Sequence, residues 1–272
     1  MRVLYDVSVL GMSALDSRAR TGVFRTVESL AAGLAASPEC ELSFCAGGES
    51  LYPVSGAPRY LEADRRFAAV PFVSAGARER AERRLLDGFW PYTREPAEGV
   101  RLGVAGRAMR RLAISVFNAV ADRPHPVEGR ELRGADVYHS PHGPLPPRAR
   151  GGRTRRFITV YDLIAVFRPE LFEPHVKDYV RAILDSIGPE DRVACISEAT
   201  RRDLCGHTGI EPERVFVTPL AASRELFRRV EDPAALAAVR ARYGIPDAPY
   251  VLGLNTLEPP KNLAPAVRAF AR

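Results

Sequence analysis

The alternation of short apolar strands with helices in the second half of the chain limits the folds that it can adopt. Four predicted strands lie here, at residues 136–139, 156–161, 192–196 and 214–218. Helices are predicted before and after the third strand, at residues 175–187 and 197–207, and Ser197 is a suitable N-cap for the second. Strands joined by crossovers of this length pair in parallel. The chain is therefore predicted to be an α/β protein with a Rossmann-like parallel sheet.

The first fifty residues show the same pattern. Residues 3–10 are predicted to form a strand, residues 21–36 a helix with apolar positions at helical spacing, and residues 41–46 a second strand. Together they make a β-α-β unit. Residues 53–76 mix prolines, glycines and short apolar runs, and there only residues 67–73 resemble a strand.

Residues 101–121 have the pattern of an amphipathic helix with one basic side. The predicted apolar face consists of Leu102, Ala105, Met109, Leu112, Val116 and Val120. The opposite side carries Arg107, Arg110 and Arg111. Such a helix can cover a protein core with its charged side in water, or lie on an anionic membrane, and the sequence leaves both open.

Composition and charge fit several classes of protein. A chain of 272 residues that is 46% hydrophobic can bury a core of one large or two ordinary domains. The net charge of +6 permits an anionic partner without selecting one. No stretch interleaves basic with aromatic residues, so we predict no nucleic-acid partner.

The cysteine pattern indicates a reducing compartment. Four cysteines, Cys40, Cys45, Cys195 and Cys205, form no C-x-x-C pair and no Cys/His cluster at metal-ligand spacing, so free thiols and no metal are expected. We find no signal-type start and no run of about 18 apolar residues. The predicted location is cytoplasmic, with peripheral contact at the inner face of the membrane as an option.

A strand, a loop and a helix start follow one another near the end of the printed chain. Residues 250–254 are predicted to be a buried parallel strand, residues 255–260 a loop, and Lys261 and Asn262 the opening of a helix. Free backbone N–H groups, the helix dipole and a lysine at one place favour an anion such as a phosphate. The stretch lacks the glycines of the standard phosphate-binding loops.

Three stretches taken together resemble one enzyme family. SEATRRDLCGHTGIEPERVFVTPLAASRELFRR at 197–229, ARYGIP at 241–246 and LNTLEPPKN at 254–262 are similar to the inter-domain region of the GT-B-fold group 1 (family 4) retaining glycosyltransferases. The resemblance covers the chain from about Asp136 onward and, more loosely, residues 5–34. It does not extend to residues 49–126.

The resemblance implies two Rossmann-like domains. Residues 1–218 would form an N-terminal, acceptor-side domain, residues 219–232 a linker, and residues 233–272 the beginning of a C-terminal, donor-binding domain. On this interpretation the second domain is incomplete, since one strand and one helix cannot enclose a core, and either the chain is a fragment or the gene product is truncated.

The donor-binding residues that the resemblance implies lie at strand ends and helix starts. Lys261 matches the lysine that grips the donor diphosphate, and Glu258 an acidic residue that orders the same loop. Thr21 and Gly22 match the glycine loop whose backbone faces the diphosphate across the cleft. Pro260 stands where the family usually has an arginine, which removes one positive charge from this group.

The implied catalytic residues follow two neighbouring strands. His142, or else His139, matches a histidine beside the transferred sugar. Asp162 would accept a hydrogen bond from the acceptor hydroxyl or deprotonate it. Tyr161 replaces the histidine that the family commonly has before this aspartate.

The implied activity is transfer of a hexose, of mannosyl, rhamnosyl or glucosyl type, from a nucleotide diphosphate sugar to a hydroxyl acceptor that can be lipid-linked. The resemblance places this activity in polysaccharide or glycoconjugate synthesis. It also implies that the reaction uses no metal and no cofactor besides the donor. Two alternatives stay open. One is a non-catalytic, degenerate or partner-dependent GT-B module, and the other is a GT-B-fold nucleotide-sugar epimerase.

Overall fold

The computed structural model describes residues 1–13, 20, 22–48, 51–73, 81, 84, 88, 103–121, 127, 129–147, 152–223, 227–254, 256 and 259–271. Within them, six parallel strands form one sheet in the order β2-β1-β3-β4-β5-β6. The strands are β1 (Arg2–Asp6), β2 (Glu41–Cys45), β3 (Val137–Ser140), β4 (Arg155–Val160), β5 (Arg192–Cys195) and β6 (Val215–Val217). The parallel α/β architecture predicted from the sequence is confirmed.

Ten α-helices are assigned in the described residues. They are α1 (Ser8–Met12), α2 (Gly22–Ala36), α3 (Leu51–Glu62), α4 (Val104–Ala121), α5 (Gly129–Leu132), α6 (Ile164–Phe167), α7 (Pro174–Asp185), α8 (Glu198–Thr208), α9 (Pro233–Tyr243) and α10 (Leu263–Phe270). The predicted N-cap of α8 is confirmed, because Ser197 accepts a hydrogen bond of 3.1 Å from the Thr200 N–H. Gly244 ends α9 in the left-handed conformation that glycine adopts without strain.

The chain reverses its direction across the sheet between β2 and β3. β1 pairs with β2 on one side and with β3 on the other, so Tyr5 lies opposite both Phe44 and His139. In sheets of this kind, ligands bind beyond the carboxyl ends of the strands, next to such a reversal. A ligand site is therefore expected at the carboxyl edge of the sheet.

Two apolar clusters cover the two faces of the sheet. Because successive strand residues point to opposite faces, Leu4 and Tyr138 join one cluster while Tyr5 joins the other. Helix α2 packs on the Tyr5 face, where the Tyr5 hydroxyl donates to the Val27 carbonyl at 3.2 Å. Phe24, Val27 and Ala31 are the buried residues of that helix.

The prediction of a strand over residues 3–10 was wrong beyond Asp6. The chain turns there because the Asp6 carboxylate accepts the Ser8 N–H at 2.8 Å, and α1 begins at Ser8. The β-branched Val7 and Val9 favoured a strand in the sequence, yet side-chain capping by Asp6 stops it.

Helix α3 was not predicted from the sequence. It contains Pro58 in its interior, a residue that usually breaks a helix. The helix packs instead against α1 through Gly56, where an added Cβ would come within 2.2 Å of the Gly11 carbonyl oxygen. Tertiary packing thus overrides local propensity. Next to it, the predicted strand at residues 67–73 contributes one bridge, Phe72 to Phe44.

Helix α4 confirms the predicted amphipathic helix, but not the face expected to be buried. Ala113 is buried, whereas Met109 and Leu112 are 48% and 56% exposed. Leu102 lies outside the described residues.

The predicted strand at residues 250–254 was wrong. These residues form no strand, and Leu252 and Leu254 are 78% and 89% exposed. A strand needs a partner for its backbone groups, and none of the described strands lies beside this segment. The helix start after it is confirmed, since α10 begins at Leu263. The division into two domains stays a prediction.

Candidate functional site

A cleft of about 800 Å³ lies at the carboxyl edge of the sheet. One wall is the amino-terminal half of α2, and the other consists of residues 218–223, which follow β6, and of Phe227. Thr159 and Tyr161, at the end of β4, line it together with Ile196, which follows β5. This is the location that the strand order favours for a ligand.

Gly22 opens α2 and lines the cleft. A Cβ atom added to Gly22 would meet no atom within 4 Å, so the space beside its backbone is open. A helix of 15 residues presents free N–H groups and a partial positive charge at this end. Thr21, the other residue predicted for this loop, lies outside the described residues.

Arg20 adds a positive charge next to this helix start. Its guanidinium lies over the rings of Phe24 and Tyr60, at 5.7 and 5.8 Å from their centroids. Arg20 lines the cleft, and so does Glu28. The Glu28 carboxylate accepts hydrogen bonds from the Tyr60 hydroxyl and from the Arg66 guanidinium. The positive charge of Arg66 offsets the negative charge of Glu28.

Arg20 was not among the site residues predicted from the sequence. Its position directly before the predicted glycine loop was a signal, but arginine is frequent throughout the chain. Only the contact with two aromatic rings, which are 36 residues apart in sequence, distinguishes it from the others.

Tyr161 has a buried hydroxyl for which the structure gives no hydrogen-bond partner in the described part of the chain. Burial raises the pKa of this phenol to about 12, so it is protonated at neutral pH. An unpaired buried hydroxyl is costly and rare in proteins. Tyr161 lines the cleft, so its unpaired hydroxyl is a candidate partner for a ligand that reaches it.

His142 lies beside Tyr161, with the two ring centroids 6.1 Å apart. Its Nδ1 is 3.2 Å from the Tyr179 hydroxyl, which belongs to α7. Burial lowers the pKa of this imidazole, so it is neutral at pH 7. If the Tyr179 hydroxyl donates to Nδ1, the other ring nitrogen carries the proton and can donate in turn.

His139 occupies a different environment from His142. Its side chain is buried, Nε2 is 2.9 Å from the Thr159 hydroxyl oxygen, and its ring packs edge-on against Tyr5 and Phe157. Burial lowers the pKa of His139 to about 4. The structure places this residue in the core below the cleft.

Asp162 is exposed and caps a helix. Its Oδ1 accepts the Ile164 N–H at 3.0 Å, at the start of α6. Asp162 follows Tyr161 directly, so it lies at the same edge of the sheet, but it is not among the residues that line the cleft.

Lys261 is exposed, in the helical turn Pro259–Lys261 before α10. It is not brought to the cleft. Glu258 lies outside the described residues. Gly22 and the end of β4 therefore line the same cleft, and His142 lies beside Tyr161. Lys261 does not line that cleft.

No group of three His, Cys, Asp or Glu side chains in the described part of the chain is arranged to hold a metal ion. None of its helices is both long enough and apolar enough to cross a membrane.

Comparison with known proteins gives one curated relative. The chain is 27% identical over 139 residues to the O-antigen chain mannosyltransferase B of Escherichia coli. The match covers 49% of this chain and 34% of the relative, so the chain corresponds to about a third of that protein's length. No family model matches the chain.

Among solved structures, a glycosyltransferase from Rickettsia africae ESF-5 aligns with 90% of this chain and 50% of its own. The TM-score is 0.34 and the sequence identity is 10%.

Proposed function

We propose that this chain is the acceptor-side part of a glycosyltransferase that moves a hexose from a nucleotide diphosphate sugar to a hydroxyl acceptor. The sequence similarity to a mannosyltransferase supports the class of reaction, and mannose is the sugar that it favours. The proposal rests above all on the cleft at the carboxyl edge, which combines an open helix start with a buried, unpartnered hydroxyl.

Each part of the cleft suits one part of such a substrate. The diphosphate would lie against the start of α2, where the N–H groups and Arg20 favour negative charge. Stabilising charge on the departing diphosphate lowers the barrier more than contacts that the ground state already makes. The sugar would lie toward the end of β4, where Tyr161 can exchange a hydrogen bond with one of its hydroxyls.

His142 and Asp162 are the proposed polar groups around the acceptor. A neutral imidazole can both donate and accept a hydrogen bond. Asp162 caps α6 through Oδ1 alone, and Oδ2 is then open to an acceptor hydroxyl. We assign no step to a metal ion or to a cofactor besides the donor.

A membrane surface is the proposed location of a lipid-linked acceptor. Helix α4 exposes Met109 and Leu112 and carries three arginines and no acidic residue. These features suit contact with anionic lipid. The residues proposed for the donor and the acceptor do not depend on this contact.

Binding of the donor tests the proposal. GDP-mannose, UDP-glucose and dTDP-rhamnose are titrated into the chain by calorimetry, and transfer of labelled hexose to a hydroxyl acceptor is followed with the same donors. Binding together with transfer supports the transferase, and binding without transfer supports a non-catalytic module. Absence of binding by all three donors would contradict the proposal.

Replacing Tyr161 by phenylalanine should weaken donor binding by about tenfold, because one hydrogen bond in a desolvated cleft contributes about 1.4 kcal/mol. The folded protein should lose no stability, since the hydroxyl has no partner in the described residues. Tyr60→Phe is the matched control. It removes a hydroxyl that donates to Glu28 and should lower stability by about 1 kcal/mol. A loss of stability in Tyr161→Phe equal to that of the control would contradict this role.

Replacing Gly22 by alanine should separate folding from binding. The new Cβ meets no protein atom within 4 Å, so the melting temperature should be unchanged or slightly higher. The methyl group would occupy space beside the helix start, and we expect donor affinity to fall by about fivefold, the contribution of roughly 1 kcal/mol from a helix dipole. Gly33→Ala, in the same helix and also in open space, should leave donor affinity unchanged.

A further inference from the structure

A second depression lies at the opposite, amino-terminal end of the sheet. Its volume is about 610 Å³, and it is formed by the first residues of β1 and β4 with the segments that precede β3 and β4. Four arginines line it: Arg2, Arg133, Arg153 and Arg155. One carboxylate, that of Asp136, is present among the lining residues.

Asp136 is fully engaged by Arg2. Its Oδ1 accepts from the Arg2 guanidinium at 2.9 Å, and its Oδ2 accepts from the Arg2 backbone N–H at 2.8 Å. Arg133, Arg153 and Arg155 are exposed, and none of them forms an ion pair with a carboxylate of the described residues. Among the lining residues four guanidiniums stand against one carboxylate, and Glu41, opposite Arg2 on β2, adds a second negative charge near Arg2.

The framework of this depression is held firmly by backbone contacts. The Thr154 hydroxyl lies 2.8 Å from the Leu132 carbonyl oxygen and 3.0 Å from that of Ala135, so it ties the two lining segments together. The Arg155 N–H donates to the Asp136 carbonyl at 3.0 Å. The arginines are therefore attached to backbone whose geometry is fixed before any ligand arrives.

The floor of the depression is open. Gly134 has φ of 107°, a conformation that side chains rarely adopt, and a Cβ there would meet nothing within 4 Å. A ligand can thus approach the backbone between the guanidiniums.

We propose that this arginine pocket, lined by Arg2, Arg133, Arg153 and Arg155, binds a phosphate-bearing anion. Guanidinium groups match phosphate oxygens in paired hydrogen bonds, and several of them can share one dianion. Three like charges around one depression repel each other, and an anion relieves that repulsion. The same chemistry serves a soluble phosphorylated molecule or a phospholipid headgroup.

The arginine pocket is separate from the cleft at the carboxyl edge. Strand β4 runs between them from Arg155 to Val160, a distance of about 17 Å at roughly 3.3 Å per residue. A single diphosphate cannot bridge both places. The proposal is therefore independent of the glycosyltransferase proposal.

The test uses inorganic pyrophosphate as the soluble probe, and vesicles of phosphatidylglycerol with phosphatidylcholine as the lipid probe. Each is measured against the full chain, the triple variant Arg133→Ala/Arg153→Ala/Arg155→Ala, and a control triple variant, Arg65→Ala/Arg202→Ala/Arg228→Ala. The control removes the same charge from exposed positions elsewhere. Backbone amide shifts of Gly134, Gly152 and Gly22 show where pyrophosphate binds.

We expect the pocket variant to lose about tenfold or more in affinity for at least one probe, while the control stays near the parent. Selective loss of pyrophosphate binding, with shifts at Gly134 and Gly152, identifies a soluble anion. Selective loss of vesicle binding identifies a lipid headgroup. The proposal is overturned if neither probe binds, if both variants lose affinity equally, or if shifts occur at Gly22 alone and vesicles do not bind.

Discussion

Replacing Asp191 by asparagine should lower the free energy of unfolding by about 3–5 kcal/mol, because it leaves the Arg156 guanidinium buried without a counter-charge. Asp191 is 0% exposed and Arg156 is 6% exposed. Their side chains are joined by two hydrogen bonds, of 2.5 and 3.0 Å. The same carboxylate also accepts the Gly188 N–H at 2.6 Å.

The effect should be large because this pair joins several segments. The Arg156 guanidinium donates to the Pro146 carbonyl at 2.5 Å, and Arg214 donates to the Asp191 carbonyl at 3.1 Å. Urea unfolding of the variant against the parent measures the loss. The control is Glu170→Gln, which breaks an exposed pair with Arg168 and should cause no measurable change. A loss below about 1 kcal/mol in Asp191→Asn would show that the pair is weaker than its burial implies.

Asp6 should make the protein less stable as the pH rises from about 4 to about 6. Burial raises the pKa of this carboxyl to about 6, against hydrogen bonds that lower it. The folded state therefore holds a proton that the unfolded state releases near pH 4. This proton contributes roughly 2–3 kcal/mol to the free energy of unfolding. The contribution is complete below pH 4 and is lost as the pH rises through 6.

The hydrogen bonds around Asp6 act against the effect of burial, because they favour the ionised carboxylate. The Ser8 hydroxyl accepts the Gly47 N–H at 2.9 Å and lies 2.7 Å from the Gly47 carbonyl oxygen. It also contacts the Asp6 carboxylate. The Ser8 N–H and hydroxyl and the Tyr138 hydroxyl all donate to the Asp6 carboxylate, so they hold its pKa below the value that burial alone would give.

Asp6→Asn is the variant that tests this. As the pH rises from 4 to 7.5, the unfolding free energy of the parent should fall by roughly 2–3 kcal/mol relative to that of the variant. Asp178→Asn, at an exposed position on α7, should show no such shift. A difference for Asp6→Asn that is constant over this range would mean that the pKa of Asp6 in the folded state is ordinary.

The sequence predicted the elements whose periodicity is simple. The strands of the second half follow from short apolar runs separated by helices, and α2 and α8 from helical spacing and a cap. Helix α3 could not be predicted, since Pro58 argues against a helix and only the contact of Gly56 with α1 explains it. The exposed segment at residues 250–254 has a strand composition without a neighbouring strand in the described residues.

The candidate site was predictable in part. Gly22 and the end of β4 could be located because parallel strands bring their carboxyl ends to one edge. The burial and the neighbours of each side chain could not be predicted. His139 and His142 are three residues apart, yet one packs between aromatic rings and the other lies beside Tyr161 and Tyr179. Only the pairing register and the packing of α7 decide this difference.

The contact between α1 and α3 has a consequence for the far end of β1. Gly56 allows the two helices to approach until backbone meets backbone. Helix α1 starts two residues after Asp6, so a displacement of α1 would also disturb the turn at which β1 ends. In a mutational screen, replacing Gly56 by a larger residue would therefore have the same effect as a substitution at the end of β1, although position 56 lies 50 residues further along the chain.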